Sequence, residues 1–464
     1  MTQLATAARV TGPIHGGNRG WPFAASVLDL AALGYREDEY FLEGTAERYR
    51  PLPGTEFGRD GRWQAEPAAM APFKTRFLVY RPLDPARFNG TAIVTWNNVT
   101  AGYDLFSADS RELLEGGFAI VAVTTQPVAI NGLPQVPNGL ARWDPDRYGT
   151  LSIPGDDYSF DIYTQVARAV GPDRAREPID AMGGLDVKRL VAQGASQSAG
   201  RLGGYVNAIQ PLSRAFDGFI LAIYFGTGTA LEVGDQVVNI NDPARARDPR
   251  NRLTGSNLIR DDIEVPVMVV NSELEATSCY PVRQPDTDLF RYWESAATCH
   301  TSYQGNIARR VQYARDFGGE RPIIQGMNRV PILPIYDAAY HHMHRWLTGG
   351  TPPPSQPLIE FAGDSPEIVR DEYGIAKGGI RLPQADVPIA TNTAIPLGDD
   401  VWSYLAGSCH PFSRQKLLSL YGDEPSFAAR FETAALAAVE AGVLMPRDVA
   451  PLLAEAREGF RAAS

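Results

Sequence analysis

The sequence predicts an α/β fold: a mostly parallel sheet covered by helices on both faces. Short apolar stretches rich in β-branched and aromatic residues recur along the first 300 positions, and helical patterns separate many of them. Gly (44) and Pro (36) are too frequent for a helical bundle and point to many turns. Alternation of short buried strands with helices is the signature of a parallel sheet, because each crossover between parallel strands needs room for a helix.

Taken in chain order, strands are expected at 76–82 (RFLVYRP), 91–97 (TAIVTWN), 118–125 (FAIVAVTT), 187–193 (VKRLVAQ), 217–225 (DGFILAIYF), 265–271 (VPVMVVN) and 289–295 (LFRYWES). Helical patterns fall at 104–115, 157–170, 198–209, 336–347 and 425–441. The Gly-, Pro- and charge-rich stretch 53–72 reads as surface loop. Residues 227–262 break the strand rhythm and are expected to form a cap over the site, with apolar positions such as Leu231 and Val237 beside a charged run from Asp242 to Arg252. After residue 300 the alternation fades, and a Pro-rich connection from Pro352 to Pro357 leads into a tail. These features predict a main domain over 12–400 carrying that cap, and a mainly helical appendage over 401–464 packed on it.

Composition narrows the partners. The 464 residues carry 43 basic and 54 acidic side chains, a net charge of −11. Nucleic acids and anionic membranes select basic surfaces, so neither is expected as a partner. The N-terminal stretch lacks the apolar core of a leader, and no run of about 18 apolar residues follows; a cytoplasmic protein without membrane insertion is expected. Cys279, Cys299 and Cys409 cannot all pair within one chain, and their spacing does not suggest zinc.

The most informative stretch is 187–210, VKRLVAQGASQSAGRLGGYVNAIQ. An apolar strand runs into Gly194, Ser196 follows two residues later, and a helical pattern begins beyond it. A nucleophile held at a sharp strand-to-helix turn needs small neighbours, because its strained backbone brings the flanking residues together. Ser198 also fits this small-x-Ser-x-small pattern, but Ser196 keeps the better register with the strand.

A serine hydroxyl becomes a nucleophile when a histidine takes its proton and a carboxylate orients the imidazole. The expected partners follow in the order serine, acid, histidine. The strand 265–271 ends in Ser272-Glu273-Leu274-Glu275, and the strand 289–295 runs into Ala296-Ala297-Thr298-Cys299-His300. Of the six histidines, His300 alone follows a strand that succeeds a strand-end acid. His341, His342 and His344 lie in a helical pattern without carboxylates in register, which reads as a polar helix face and not a metal site. Glu275 and Glu273 are both candidates for the acid, and Glu275 has the better position.

A tetrahedral intermediate needs two N–H donors for its oxyanion. Gln197, directly after the serine, supplies one. Asn98, in the turn Asn97-Asn98-Val99-Thr100-Ala101-Gly102, is the candidate for the other. Tyr103, Tyr224 and Phe225, at strand ends, are candidates for contact with an apolar part of the substrate.

On these motifs the chain resembles the α/β-hydrolase superfamily and, more closely, a largely uncharacterised family of bacterial α/β-hydrolase-domain proteins. The stretches that carry the resemblance are GYREDEYFLEGTAERY (34–49), TRFLVYRPLDPARFNGTAIVTWNNVTAGYD (75–104), QGASQSAGRLGGYVN (193–207), RYWESAATCH (291–300) and YGIAKGGIRLP (373–383). The resemblance implies Ser196 as nucleophile and His300 as base. It also marks two departures: Ala297 where relatives carry Gly, and Glu275 where the acid is usually Asp.

The function expected is hydrolysis of a small-molecule carboxylic ester through an acyl-enzyme, with no metal or organic cofactor. An acyltransferase with the same residues and a non-catalytic binding protein on the same scaffold are the alternatives. A fluorophosphonate label separates the last from the others, and product analysis with an alcohol acceptor separates hydrolysis from transfer.

Overall fold

All seven expected strands are present in the computed structural model, which describes residues 8–106, 110–232 and 255–463. The chain forms two compact units, Met1–Val267 and Met268–Ser464. In the first unit the strand order is β1 (Arg9–Thr11), β2 (Tyr35–Pro51), β3 (Ala65–Pro82), β5 (Ala119–Val123), β4 (Thr91–Trp96), β6 (Arg189–Ala195) and β7 (Gly218–Ala222). The pairs β5–β4, β4–β6 and β6–β7 are parallel, and β1–β2, β2–β3 and β3–β5 are antiparallel. Strands β5 (AIVAV) and β7 (GFILA) are buried along their whole length, as parallel strands covered on both faces must be.

Two sequence expectations need correction. The stretch 53–72 is not all loop: β3 begins at Ala65 and runs for 18 residues against β2, which composition concealed altogether. The sequence of β2, YREDEYFLEGTAERYRP, is rich in charge, yet its centre from Glu39 to Leu42 is buried. The charge is absorbed by pairing. Arg76 in β3 bonds Glu39 at 2.9 Å and Asp104 at 2.9 Å, and Arg147 bonds Glu39 at 2.6 Å. Tyr148 donates its hydroxyl to Glu39 at 2.8 Å. Of the helix expected over 104–115, Arg111–Glu115 is helical with Ser110 as its cap, 104–106 are not, and 107–109 lie outside the described residues.

Helix α1 (Ser159–Val170) and helix α2 (Gln197–Gly204) match expected helices, and α2 continues into one π-helical turn, Tyr205–Ile209. In the second unit β8 (Val267–Ser272) and β9 (Phe290–Ser295) are neighbours, and β10 (Ala390–Thr393) pairs antiparallel with β11 (Ser408–Pro411). Its main helices are α3 (Glu273–Cys279), α4 (Tyr303–Phe317), α5 (Leu333–Gly349), α6 (Glu424–Glu440) and α7 (Val449–Ala462). Residues 401–463 are mainly helical and lie within this unit. Among the described residues no helix is long and apolar enough to cross a membrane.

Of the expected cap, residues 233–254 lie outside the described residues. Its two described ends are fastened to each other: Gly228 donates to the Asn257 side chain at 2.7 Å, and Asn257 donates to the Gly226 carbonyl at 3.1 Å. They also rest on α2, where Thr229 donates to the Gly200 carbonyl at 2.9 Å. Only glycine fits there at position 204, since a Cβ on it would come within 2.6 Å of the Thr229 carbonyl.

Candidate active site

Strand β6 ends at Ala195, and Ser196 takes φ 62°, ψ −120° before α2 begins at Gln197. A side-chain-bearing residue in that region stores strain, which is held only when its surroundings over-determine it. Here the Ser196 N–H is fixed on the Ala222 carbonyl at 3.0 Å. Close approach also demands Gly194, because a Cβ there would meet the Ser198 backbone at 2.9 Å. Ser196 is 7% exposed, whereas Ser198 is fully buried inside α2 and its hydroxyl has no hydrogen-bond partner among the described residues.

The turn after β4 lies against this elbow. The Asn98 amide donates to the Ala195 carbonyl at 3.0 Å, while its side-chain oxygen accepts the Thr100 N–H at 2.8 Å. Leu105 closes the loop by donating to the Asn98 carbonyl at 2.7 Å, and Val99 anchors it in an apolar cluster with Val128, Ala129 and Leu133. Gln197 opens α2, so its N–H belongs to the first turn, whose donors have no acceptor within the helix.

A polar network that the sequence did not announce backs the elbow. The Gln197 side chain donates to Gln126 at 3.2 Å, which also accepts from the Trp96 indole at 3.1 Å. Gln126 in turn donates to Asp156 at 3.1 Å, and Asp156 pairs with the buried Arg201. These residues come from four separate segments, and no local spacing joins them.

In the second unit Glu275 and His300, the expected acid and base, lie in contact. Glu275 Oε1 lies 2.7 Å from His300 Nδ1, with both side chains buried. The geometry of Glu275 follows from a capping box at the start of α3. The N-cap Ser272 accepts the Leu274 N–H, and Glu275 at the third helical position reaches back to the Ser272 N–H at 3.2 Å and to its hydroxyl. Ser-x-x-Glu ahead of a helix is the sequence signal that would have revealed this. Glu273 faces elsewhere, accepting from the Ala297 N–H at 2.8 Å, from Arg370 at 2.8 Å and from the Ala394 N–H at 3.1 Å. Near Glu275, burial and then the carboxylate charge hold the Tyr336 hydroxyl well above its ordinary pKa, so it stays neutral.

The remaining candidates fall as follows. Tyr103 and Phe225 are half-buried, and Tyr103 meets Phe23 edge-on at 5.9 Å. Tyr224 is 3% exposed and lies over Gly203 of α2, where an added Cβ would come within 2.8 Å of its hydroxyl. His342 bonds the Gly442 carbonyl at 2.8 Å and meets Trp293 edge-on. Among the described residues no group of three or more His, Cys, Asp or Glu side chains could hold a metal. Cys279, Cys299 and Cys409 are buried thiols that form no disulfide among the described residues.

Residues 10–454 match the family described as alpha/beta hydrolase domain. The chain belongs to that family. Solved structures similar to this alpha/beta hydrolase include esterase Est22, 13% identical over 61% of this chain and 78% of that one, with a TM-score of 0.31. Another is a hyperthermophilic esterase from the archaeon Pyrobaculum calidifontis, 13% identical over 59% of this chain and 85% of that one, with a TM-score of 0.28. No curated protein matches the chain. In this alpha/beta hydrolase Ala297 has φ 60°, a conformation that glycine adopts freely and alanine does not.

Proposed function

We propose that the protein hydrolyses a small carboxylic ester through an acyl-enzyme intermediate, with Ser196 as nucleophile, His300 as general base and Glu275 as the orienting acid. The observation that carries this reading is the strained backbone of Ser196 at the strand-to-helix turn, φ 62° and ψ −120°, which has a use when the hydroxyl must be presented as a nucleophile. The 2.7 Å contact between Glu275 and His300 supports it, because a carboxylate on Nδ1 leaves Nε2 to take a proton.

The steps follow from these roles. The Ser196 hydroxyl adds to the ester carbonyl as its proton passes to His300 Nε2. The oxyanion accepts from the Gln197 and Asn98 backbone N–H groups; removing one such donor typically costs about 2.7–4 kcal/mol of transition-state stabilisation. The tetrahedral adduct expels the alcohol, which leaves with the proton from His300, and water repeats the sequence on the acyl-enzyme. Tyr103, Tyr224 and Phe225 are assigned to contact with an apolar part of the substrate.

A fluorophosphonate probe followed by peptide mapping tests the reading. Phosphonylation of Ser196, and loss of both labelling and p-nitrophenyl acetate turnover in Ser196→Ala, are expected. A label on another serine, or an active Ser196→Ala protein, rejects it. Chromatography of products formed with and without an alcohol acceptor is expected to give free acid in both.

A further inference from the structure

Ala297 stands three residues before His300, is fully buried and has φ 60°. The left-handed region costs an L-residue about 1–2 kcal/mol, so something must hold the peptide there. Two fully buried side chains do. Glu273 accepts the Ala297 N–H at 2.8 Å, and the Asn328 amide donates to the Ala297 carbonyl at 2.7 Å.

Both side chains are themselves immobilised. The other oxygen of Glu273 takes Arg370 at 2.8 Å and the Ala394 N–H at 3.1 Å. Asn328 also donates to the Thr393 carbonyl at 3.1 Å, accepts the Val330 N–H at 2.8 Å and donates its own N–H to the Ala406 carbonyl at 3.0 Å. On either side of His300 the loop is tied again, since the Cys299 thiol and the Thr301 N–H both donate to the Leu405 carbonyl, at 3.2 and 3.0 Å.

We infer that Glu273 and Asn328 are positioning residues, a two-sided clamp that keeps Ala297 left-handed and thereby sets the His300 ring against Glu275. The inference rests on His300 being the base. It gives Glu273 a role without proton transfer: an ionised carboxylate is needed because three donors converge on it, one of them the Arg370 guanidinium. An amide at this position has a single acceptor oxygen and must abandon at least one of them.

The experiment compares Glu273→Gln and Asn328→Asp, each alone and combined with Ala297→Gly, on p-nitrophenyl acetate. Circular dichroism identifies the folded variants. A small misplacement of a reacting group lowers rates by up to about 100-fold, so kcat is expected to fall about 10- to 100-fold in the single variants with KM little changed. Ala297→Gly should restore about tenfold of the lost kcat, because glycine occupies φ 60° without the clamp.

Single variants within about twofold of the parent kcat, while Ser196→Ala and His300→Gln are inactive, overturn the clamp but not the proposed reaction. Folded single variants that Ala297→Gly fails to rescue also overturn it. Should Glu273→Gln unfold the chain, Asn328→Asp and its double variant carry the same test. Activity surviving in both Ser196→Ala and His300→Gln rejects the reaction itself, and the clamp with it.

Discussion

Ser272 and Glu275 complete one another: the Ser272 N–H and hydroxyl both bond Glu275 Oε2, which leaves Oε1 for His300 Nδ1. A helix cap thereby also fixes the Glu275 carboxylate against the imidazole. Ser272→Ala should therefore damage two properties at once. Loss of an N-cap costs about 1 kcal/mol of stability, and a carboxylate released from its anchor should lower kcat by about tenfold. Urea titration and initial rates measure the two effects separately. A stability change without a change in rate would disconnect the cap from the site.

Glu275→Gln should keep the fold, since glutamine serves equally at the third position of a capping box. It removes the charge that orients and stabilises the imidazolium, which can lower kcat by about 10⁴-fold. Steady-state kinetics with p-nitrophenyl acetate checks this, and a loss under tenfold would place the acid elsewhere.

Ser198→Ala should leave turnover within about twofold and stability unchanged or slightly raised. The buried hydroxyl has no partner among the described residues, and an unsatisfied buried donor costs about 1–3 kcal/mol. Inactivation by this substitution would show that the nucleophile had been placed one step too early.

How far the sequence could be read depended on how local each signal was. The elbow was legible because strand, small residues and serine are contiguous from Leu190 to Gly200. The closeness of a strand-end glutamate to His300 was legible from the strand ends, but which of Glu273 and Glu275 faces the ring depends on the capping box that turns Glu275 toward it. Strand β2 was hidden because its buried charges, such as Glu39, are neutralised by Arg76 and Arg147 from distant segments. Gln126, Asp156 and Asn328 stayed invisible for the same reason: their partners are assembled by the fold.

Asp104→Ala should be among the most destabilising single changes in the first unit. It leaves Arg76, 1% exposed, without one of its two carboxylates. Breaking a buried ion pair from one side costs about 3–5 kcal/mol. Chemical denaturation of both proteins measures it, and a difference below about 1 kcal/mol would show that Glu39 alone suffices for the arginine.

The thiols should be inert in the native protein. Burial pushes Cys279 up to about 12, with the Glu275 and Glu294 charges adding to it, and raises Cys299 well above the usual range. Burial also raises Cys409, against the opposing charge of Arg329. Since the thiolate is the reactive form, a raised pKa slows alkylation at pH 8. Iodoacetamide should modify the three cysteines only after denaturant is added, and rapid native labelling of Cys279 or Cys299 would contradict the burial.

The bonds joining Gly226 and Gly228 to Asn257 have a thermodynamic consequence. Chain closure is what makes an insertion expensive, and here the two ends are already held together at their base on α2. Beyond such a closed base, doubling the length of the intervening chain adds only about 0.6 kcal/mol. Drift in the length of the chain between Gly228 and Asn257 is therefore nearly neutral for folding. Insertions and deletions there can accumulate while the elbow and the sheet that carries it keep their stability.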